Sequence, residues 1–104
     1  MRTLKYRVKG QKILRDSDCD FRGIAPGTEN YLSVIFDFST EWAGTVKVCE
    51  FSAIGVQPAP VPVTGNHCMV PAEVLTGREF TFRLIGKRGK YKITTSQVKV
   101  QQEV

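Results

Sequence analysis

Apolar residues recur at every second position over short stretches of this chain, and turn-forming residues separate the stretches. Leu4, Tyr6 and Val8 alternate with Lys5, Arg7 and Lys9, and Gly10-Gln11 turns the chain into Lys12–Arg15, which predicts a hairpin. Leu32, Val34, Phe36 and Phe38 fall on one face of the next strand, with Ser33 and Asp37 on the other. Ser39 or Thr40 then caps a short helical turn, and Trp42, the single tryptophan, folds back over the face the chain has just left. A strand from Thr45 to Phe51 follows. Further on, Phe80, Phe82 and Leu84 alternate with Glu79, Thr81 and Arg83, and Gly86-Lys-Arg-Gly-Lys forms a hairpin tip. Tyr91 and Ile93 share one parity and Val98 and Val100 the other, so the last strand needs a bulge near Thr94-Thr95-Ser96.

The remaining segments punctuate these strands. Residues 16–30 are rich in Asp, Gly and Pro with only Phe21 and Ile24 as anchors, which predicts a loop or irregular edge crossing between sheets. Residues 55–65 hold Pro58, Pro60 and Pro62, and proline removes ladder donors, so this is an extended edge strand or a polyproline-like connection. Asn66 to Val70 reads as a short strand, and Pro71-Ala-Glu-Val-Leu starts a helix of one or two turns ending near Gly77. Seven or eight strands with one short helical turn predict an all-β protein, an antiparallel Ig-like β-sandwich. The core is expected around Leu32, Val34, Phe36, Phe38, Trp42, Phe80, Phe82 and Leu84.

A chain of 104 residues supports a single domain over 1–104, and neither a repeat nor a linker divides it. No apolar run approaches the roughly 20 residues of a membrane span, and the N-terminus alternates charge with apolar residues where a signal peptide needs a continuous apolar block. Synthesis in a cytoplasm is the expectation, with no membrane partner. Cys19, Cys49 and Cys68 are odd in number and form no Cys-x-x-Cys pair, which argues against a disulfide framework and a zinc site.

The net charge of +5 conceals segregation. Residues 1–15 carry six cations and no acid, residues 16–77 two cations against eight acids, and residues 78–104 seven against two. If the first and last strands were neighbours, the basic ends would form one face and the middle an acidic one, a two-signed surface suited to subunit contacts.

Candidate chemistry is sparse. Asp16-Ser-Asp-Cys-Asp20 opens like a calcium loop, but Phe21 stands where that loop needs glycine and Gly27 where it needs glutamate. His67 and Cys68 are adjacent on a strand and point to opposite faces, so they do not form a nucleophile and base. Neither an enzyme nor a cofactor is expected. Lys87, Arg88, Lys90 and Lys92 cluster around a flexible turn with Tyr91 available for stacking, the best candidate for nucleic acid. Val98, Val100 and Val104 lie on a terminal strand with few charges to blunt its edge, the best candidate for pairing with a protein partner or another copy.

Four segments carry a resemblance: Phe36-Asp-Phe-Ser-Thr-Glu-Trp-Ala-Gly-Thr-Val-Lys-Val-Cys-Glu-Phe51, Cys68-Met-Val-Pro-Ala-Glu-Val-Leu75, Phe80 to Gly86, and Lys92-Ile-Thr-Thr-Ser-Gln-Val98. Together they resemble small virion proteins of tailed bacteriophages, in particular the N-terminal domains of baseplate upper proteins and related tail or head-fibre modules. The resemblance covers about residues 30 to 100. It implies a non-catalytic β-sandwich of the virion that docks to other virion subunits, with self-association into a homo-oligomer. Longer members continue into a coiled coil or receptor-binding region where this sequence stops at Val104, which leaves room for a capsid-decorating role. The reading from another class is a small phage-encoded regulator or inhibitor that binds a host protein or nucleic acid through the basic tip.

Overall fold

The computed structural model describes residues 1–103. Nine strands form two sheets: β1 (Arg2–Lys9), β2 (Lys12–Arg15), β3 (Leu32–Phe38), β4 (Val46–Ala53), β5 (Val56–Pro62), β6 (His67–Met69), β7 (Glu79–Arg88), β8 (Tyr91–Thr94) and β9 (Val98–Gln101). The first sheet has the order β2-β1-β3-β6. In the second, β5-β4-β7 is completed by β8 and β9, which lie end to end along the same edge of β7. The protein is an all-β sandwich, as the alternating pattern predicts. Helix is limited to two single 3₁₀ turns, Thr40–Trp42 and Ala72–Val74, the latter entered through Pro71.

One pairing departs from the antiparallel expectation, because β1 and β3 run parallel from Arg2 opposite Leu32 to Val8 opposite Phe38. A parallel neighbour needs a long return connection. Residues 16–31 supply it: they pass over one end of the sandwich and return to the sheet they left, and do not cross between sheets. Phe21 packs with its ring centroid 5.1 Å from that of Tyr6, and Ile24 is buried. The loop also ties that end together, since Gly27 N–H donates to the Leu75 carbonyl and Glu103 N–H to the Ile24 carbonyl. Where β2 ends, the Cys19 sulfur takes its place on β1, accepting from the Lys5 N–H at 3.4 Å and donating to the Thr3 carbonyl at 3.6 Å.

The parity change in the last strand has the expected cause. Ile85 lies opposite Thr94 while Phe82 lies opposite Val98, so three steps on β7 face four on its partner. The extra residue is accommodated at Thr95, whose N–H donates to the Leu84 carbonyl and whose hydroxyl accepts from the Leu84 N–H at 2.9 Å. The side-chain bond replaces the lost ladder bond, and the bulge lets both Ile93 and Val98 face the core.

The core runs between the sheets, with Leu4, Tyr6, Val8, Leu32, Val34 and Phe36 from one and Cys49, Phe51, Phe80, Phe82, Leu84 and Val100 from the other. Leu32, Val34, Phe36, Trp42, Phe80, Phe82 and Leu84 are buried as expected, and Phe38 is half-buried at the rim. Trp42 is fully buried: its ring centroid is 5.3 Å from that of Phe38, and its Nε1–H donates to the Gly10 carbonyl at 2.8 Å. The indole lies across Gly86, where a Cβ would stand 2.8 Å from the ring. Gly86 is thus part of strand β7, and the hairpin tip is the two-residue turn Gly89-Lys90.

Replacing Trp42 by Ala is expected to cost about 3 to 5 kcal/mol in a urea melt, and Gly86→Ala about 1 to 3 kcal/mol by overpacking. The two changes should be strongly non-additive, because the cavity left by Trp42→Ala has room for the new methyl. A Gly86→Ala cost that is the same in both backgrounds would disprove the contact.

Candidate functional site

The end of the sandwich around Trp42 gathers most of the unpaired positive charge. Lys9 and Lys12 flank the Gly10-Gln11 turn and lie directly opposite each other, as do Lys87 and Lys92 below the Gly89-Lys90 turn. Both turns place glycine at a φ of 58° in the first position, the conformation that a tight two-residue hairpin needs there. The two hairpins are bonded to one another. Gln11 Nε2 donates to the Thr94 carbonyl at 3.0 Å, and Ser96 N–H donates to the Gln11 carbonyl at 3.3 Å. Ser39 adds a further tie by accepting the Gly10 N–H at 3.0 Å and donating to Glu41 at 3.1 Å, and makes no helix-capping bond.

The expected cluster of Lys87, Arg88, Lys90 and Lys92 divides. Lys87 and Lys92 share the outer face of the second sheet and Lys90 occupies the turn, all three exposed. Arg88 turns to the other side, donating to the Ala43 carbonyl with its guanidinium 4.7 Å from the centroid of the Tyr91 ring. The Tyr91 hydroxyl donates to the Glu41 carbonyl at 2.7 Å. The Arg88 guanidinium on the ring and the hydroxyl bond to Glu41 fix Tyr91 in place, with its side chain still partly exposed. Lys9 and Lys12 are the members that sequence reasoning missed; their flanking of a Gly-Gln turn was visible, but their nearness to the second hairpin was not.

The terminal strand is an edge, as expected, but Val98 and Val100 face inward and not toward a partner. Val100 is buried in the core and Val98 packs against it, while Val104 lies outside the described residues. Gln102 N–H donates to the Arg78 carbonyl, so by alternation the amides of Val98 and Val100 also point to β7. Those of Lys99 and Gln101 point outward. At the opposite edge the order is reversed: Val63 N–H donates to the Lys47 carbonyl, so the even positions of β5 point away from the sheet. Between the register shift beyond Ala59 and the end of the strand they are Pro58, Pro60 and Pro62, and over that stretch the edge offers acceptors and no donors.

Groups with reactive potential are sequestered. Cys49 and Cys68 approach from the two sheets and their thiols meet in the core. Burial pushes the Cys49 thiol far up, and the neighbouring Cys68 thiol adds to the shift. Burial likewise raises the Tyr6 phenol and keeps it neutral. In the Asp16–Asp20 turn, Asp16 accepts the Asp18 N–H and Asp20 accepts the Arg22 N–H, each at 2.9 Å. The Arg22 N–H, and then its side chain, hold the Asp20 carboxyl below its usual range. Among the described residues no three His, Cys, Asp or Glu side chains are grouped to hold a metal ion, and no helix is long and apolar enough to cross a membrane.

The charge map differs from the expected basic face opposite an acidic one. β1 and β9 lie in different sheets, so the basic segments meet at the hairpin end and not side by side. Acids collect at the other end, where β7 begins and β9 finishes: Asp18, Asp20, Glu29, Glu73, Glu79 and Glu103, against Arg2, Arg22, Arg78 and Lys99. Comparison with protein-family models, curated proteins and solved structures found no match.

Alkylation of the folded protein by iodoacetamide should modify Cys19 alone, with all three cysteines reacting in denaturant. Intact mass spectrometry distinguishes the outcomes, and rapid native labelling of Cys49 would contradict its burial. The thermal melt should be unchanged by reductant or chelator.

Proposed function

We propose that this protein is a non-enzymatic interaction module of a tailed-phage virion, a baseplate, tail or capsid-decorating subunit made in the bacterial host cytoplasm. In this reading it pairs with another copy or a larger virion subunit along β9. The observation that carries it is the contrast between the sheet edges. From Pro58 to Pro62 β5 has proline at each outward position, whereas β9 presents the outward amides and carbonyls of Lys99 and Gln101, flanked by tied segments at Thr94–Ser96 and Glu103. Within the second sheet, an added strand would find both donors and acceptors along β9, but acceptors alone along Pro58–Pro62. The opposed charge of the two ends would orient such a contact and make it salt-sensitive. The resemblance in the four sequence segments supplies the virion assignment.

The amide geometry gives a clean test. Pro at position 99 or 101 removes an outward donor and leaves the bonds to β7 in place, whereas Lys99→Ala removes only the ion pair to Glu79, 3.5 Å long. Sedimentation should show an oligomer, or a complex with purified virion subunits, that Lys99→Pro and Gln101→Pro abolish and Lys99→Ala retains, with unchanged circular dichroism. A monomer that binds no virion subunit overturns the proposal, as does assembly that survives both prolines.

A further inference from the structure

We propose that the hairpin end binds the phosphate backbone of duplex nucleic acid, through Lys9, Lys12, Lys87, Lys90 and Lys92. Three observations converge. First, none of these lysines takes part in an ion pair among the described residues, where the ion pairs are Arg22–Asp20, Arg83–Glu50 and Lys99–Glu79. Second, the cations are set in cross-strand pairs of like charge. Arg88 and Tyr91 flank a two-residue turn as a hydrogen-bonded pair, so Lys87 and Lys92, the next pair, are of the non-hydrogen-bonded kind whose side chains lie closest. Lys9 and Lys12, which themselves flank a two-residue turn, face each other on the other sheet as a hydrogen-bonded pair of like charge. Like charges directly opposite each other destabilise a sheet, and bound phosphate would relieve that repulsion. Third, the two pairs, each on the outer face of its own sheet, flank the same end of the sandwich and are held there by a rigid frame. Trp42 bonds to Gly10 and packs on Gly86, and Gln11 bonds to the strand that carries Lys92.

The same geometry selects among nucleic acids. Single-strand binders combine cations with aromatic faces for bases, and here the one aromatic side chain in the turn region, Tyr91, has Arg88 over its ring. Gln11, the amide side chain in the first turn, spends its Nε2 on the Thr94 carbonyl. The binding is therefore sequence-independent and electrostatic, with lysine as the point-charge donor. It uses a different surface from the β9 edge and does not rest on the assembly proposal.

Fluorescence anisotropy with labelled duplex DNA of random sequence tests the assignment across about 50 to 200 mM salt, with an expected slope of log K against log salt of about −4.5 for about five neutralised phosphates. Replacing Lys9, Lys12, Lys87 and Lys92 by Gln should weaken binding more than tenfold at low salt and bring the slope close to −1. It should also raise the melting temperature at low salt, as the like-charge pairs disappear. A control with Lys5, Arg7, Arg78 and Lys99 replaced by Gln has the same net charge and should keep most of the affinity and slope. Equal losses in the two variants would reduce the effect to net charge and overturn the site. Tighter binding to a single strand of the same length, or binding to polyglutamate and not to the duplex, would overturn the duplex assignment.

Discussion

The position of Trp42 against Gly86 is the constraint on which the rest of this structure depends. An indole occupies the space a side chain at Gly86 would fill, and its one polar atom is bonded to the Gly10 carbonyl. One residue therefore joins three remote segments: the turn after β3, the β1–β2 hairpin and the C-terminal part of β7. Neighbouring groups follow from that arrangement. Thr45 donates to the Trp42 carbonyl at 2.7 Å, and Lys47, inward-facing beside Gly86, lays its ammonium 5.1 Å from the Phe38 ring centroid and donates to the Thr45 carbonyl. Arg88 and Tyr91 then fasten the second hairpin to the same turn. A buried polar cluster of this kind is tolerable because each donor finds an acceptor, and it closes the end of a sandwich that would otherwise open where the strands splay.

That closure leaves the sheet edges as the places where the backbone is still unsatisfied, and the chain treats each differently. Proline at each outward position from Pro58 to Pro62 is a parity effect: shifted by one residue, the same three prolines would remove the bonds to β4 and break the strand. On the far side the bulge at Thr95 divides the edge in two. The upper half is bonded to Gln11, the lower half remains open until Ile24 reaches Glu103. The only long uncovered run of donors on that side is thus confined to β9, which is short and carries Lys99, a charge of the sort that discourages indiscriminate pairing.

Much of this was legible in the sequence, and the boundary has a physical explanation. Alternation in Leu32–Phe38 and Phe80–Leu84 identified core faces, the parity switch between Ile93 and Val98 identified the bulge, and proline spacing identified the protected edge. Each of these signals is local, written in the period of the strand itself. What failed to show were contacts between distant segments. The parallel pairing of β1 with β3, the meeting of Cys49 with Cys68 and the docking of the two basic hairpins depend on topology, which local period does not encode. Gly86 illustrates the limit: next to Lys87 and Arg88 it reads as part of a flexible turn, and only the location of Trp42 shows that it is a strand residue kept bare.

The residues that carry the phage-like resemblance have a consistent place in this topology. Trp42, Val70, Val74, Leu75, Phe80, Phe82 and Leu84 are buried, and Thr95 makes the bulge. They are the groups that build the sandwich and close its end. By contrast Lys9, Lys12, Lys87, Lys90, Lys99 and Gln101 lie outside the four segments, and Lys92 only begins one of them. A sequence resemblance concentrated on buried positions speaks to how the chain folds, because packing and hydrogen-bond satisfaction restrict those residues regardless of partner. Partner choice is set by the groups left at the surface; in the proposed readings these are a donor-bearing edge that would take a backbone ladder and two like-charged lysine pairs that would take a polyanion. The same scaffold can hold both because the Trp42 frame that brings the lysines together does not touch β9.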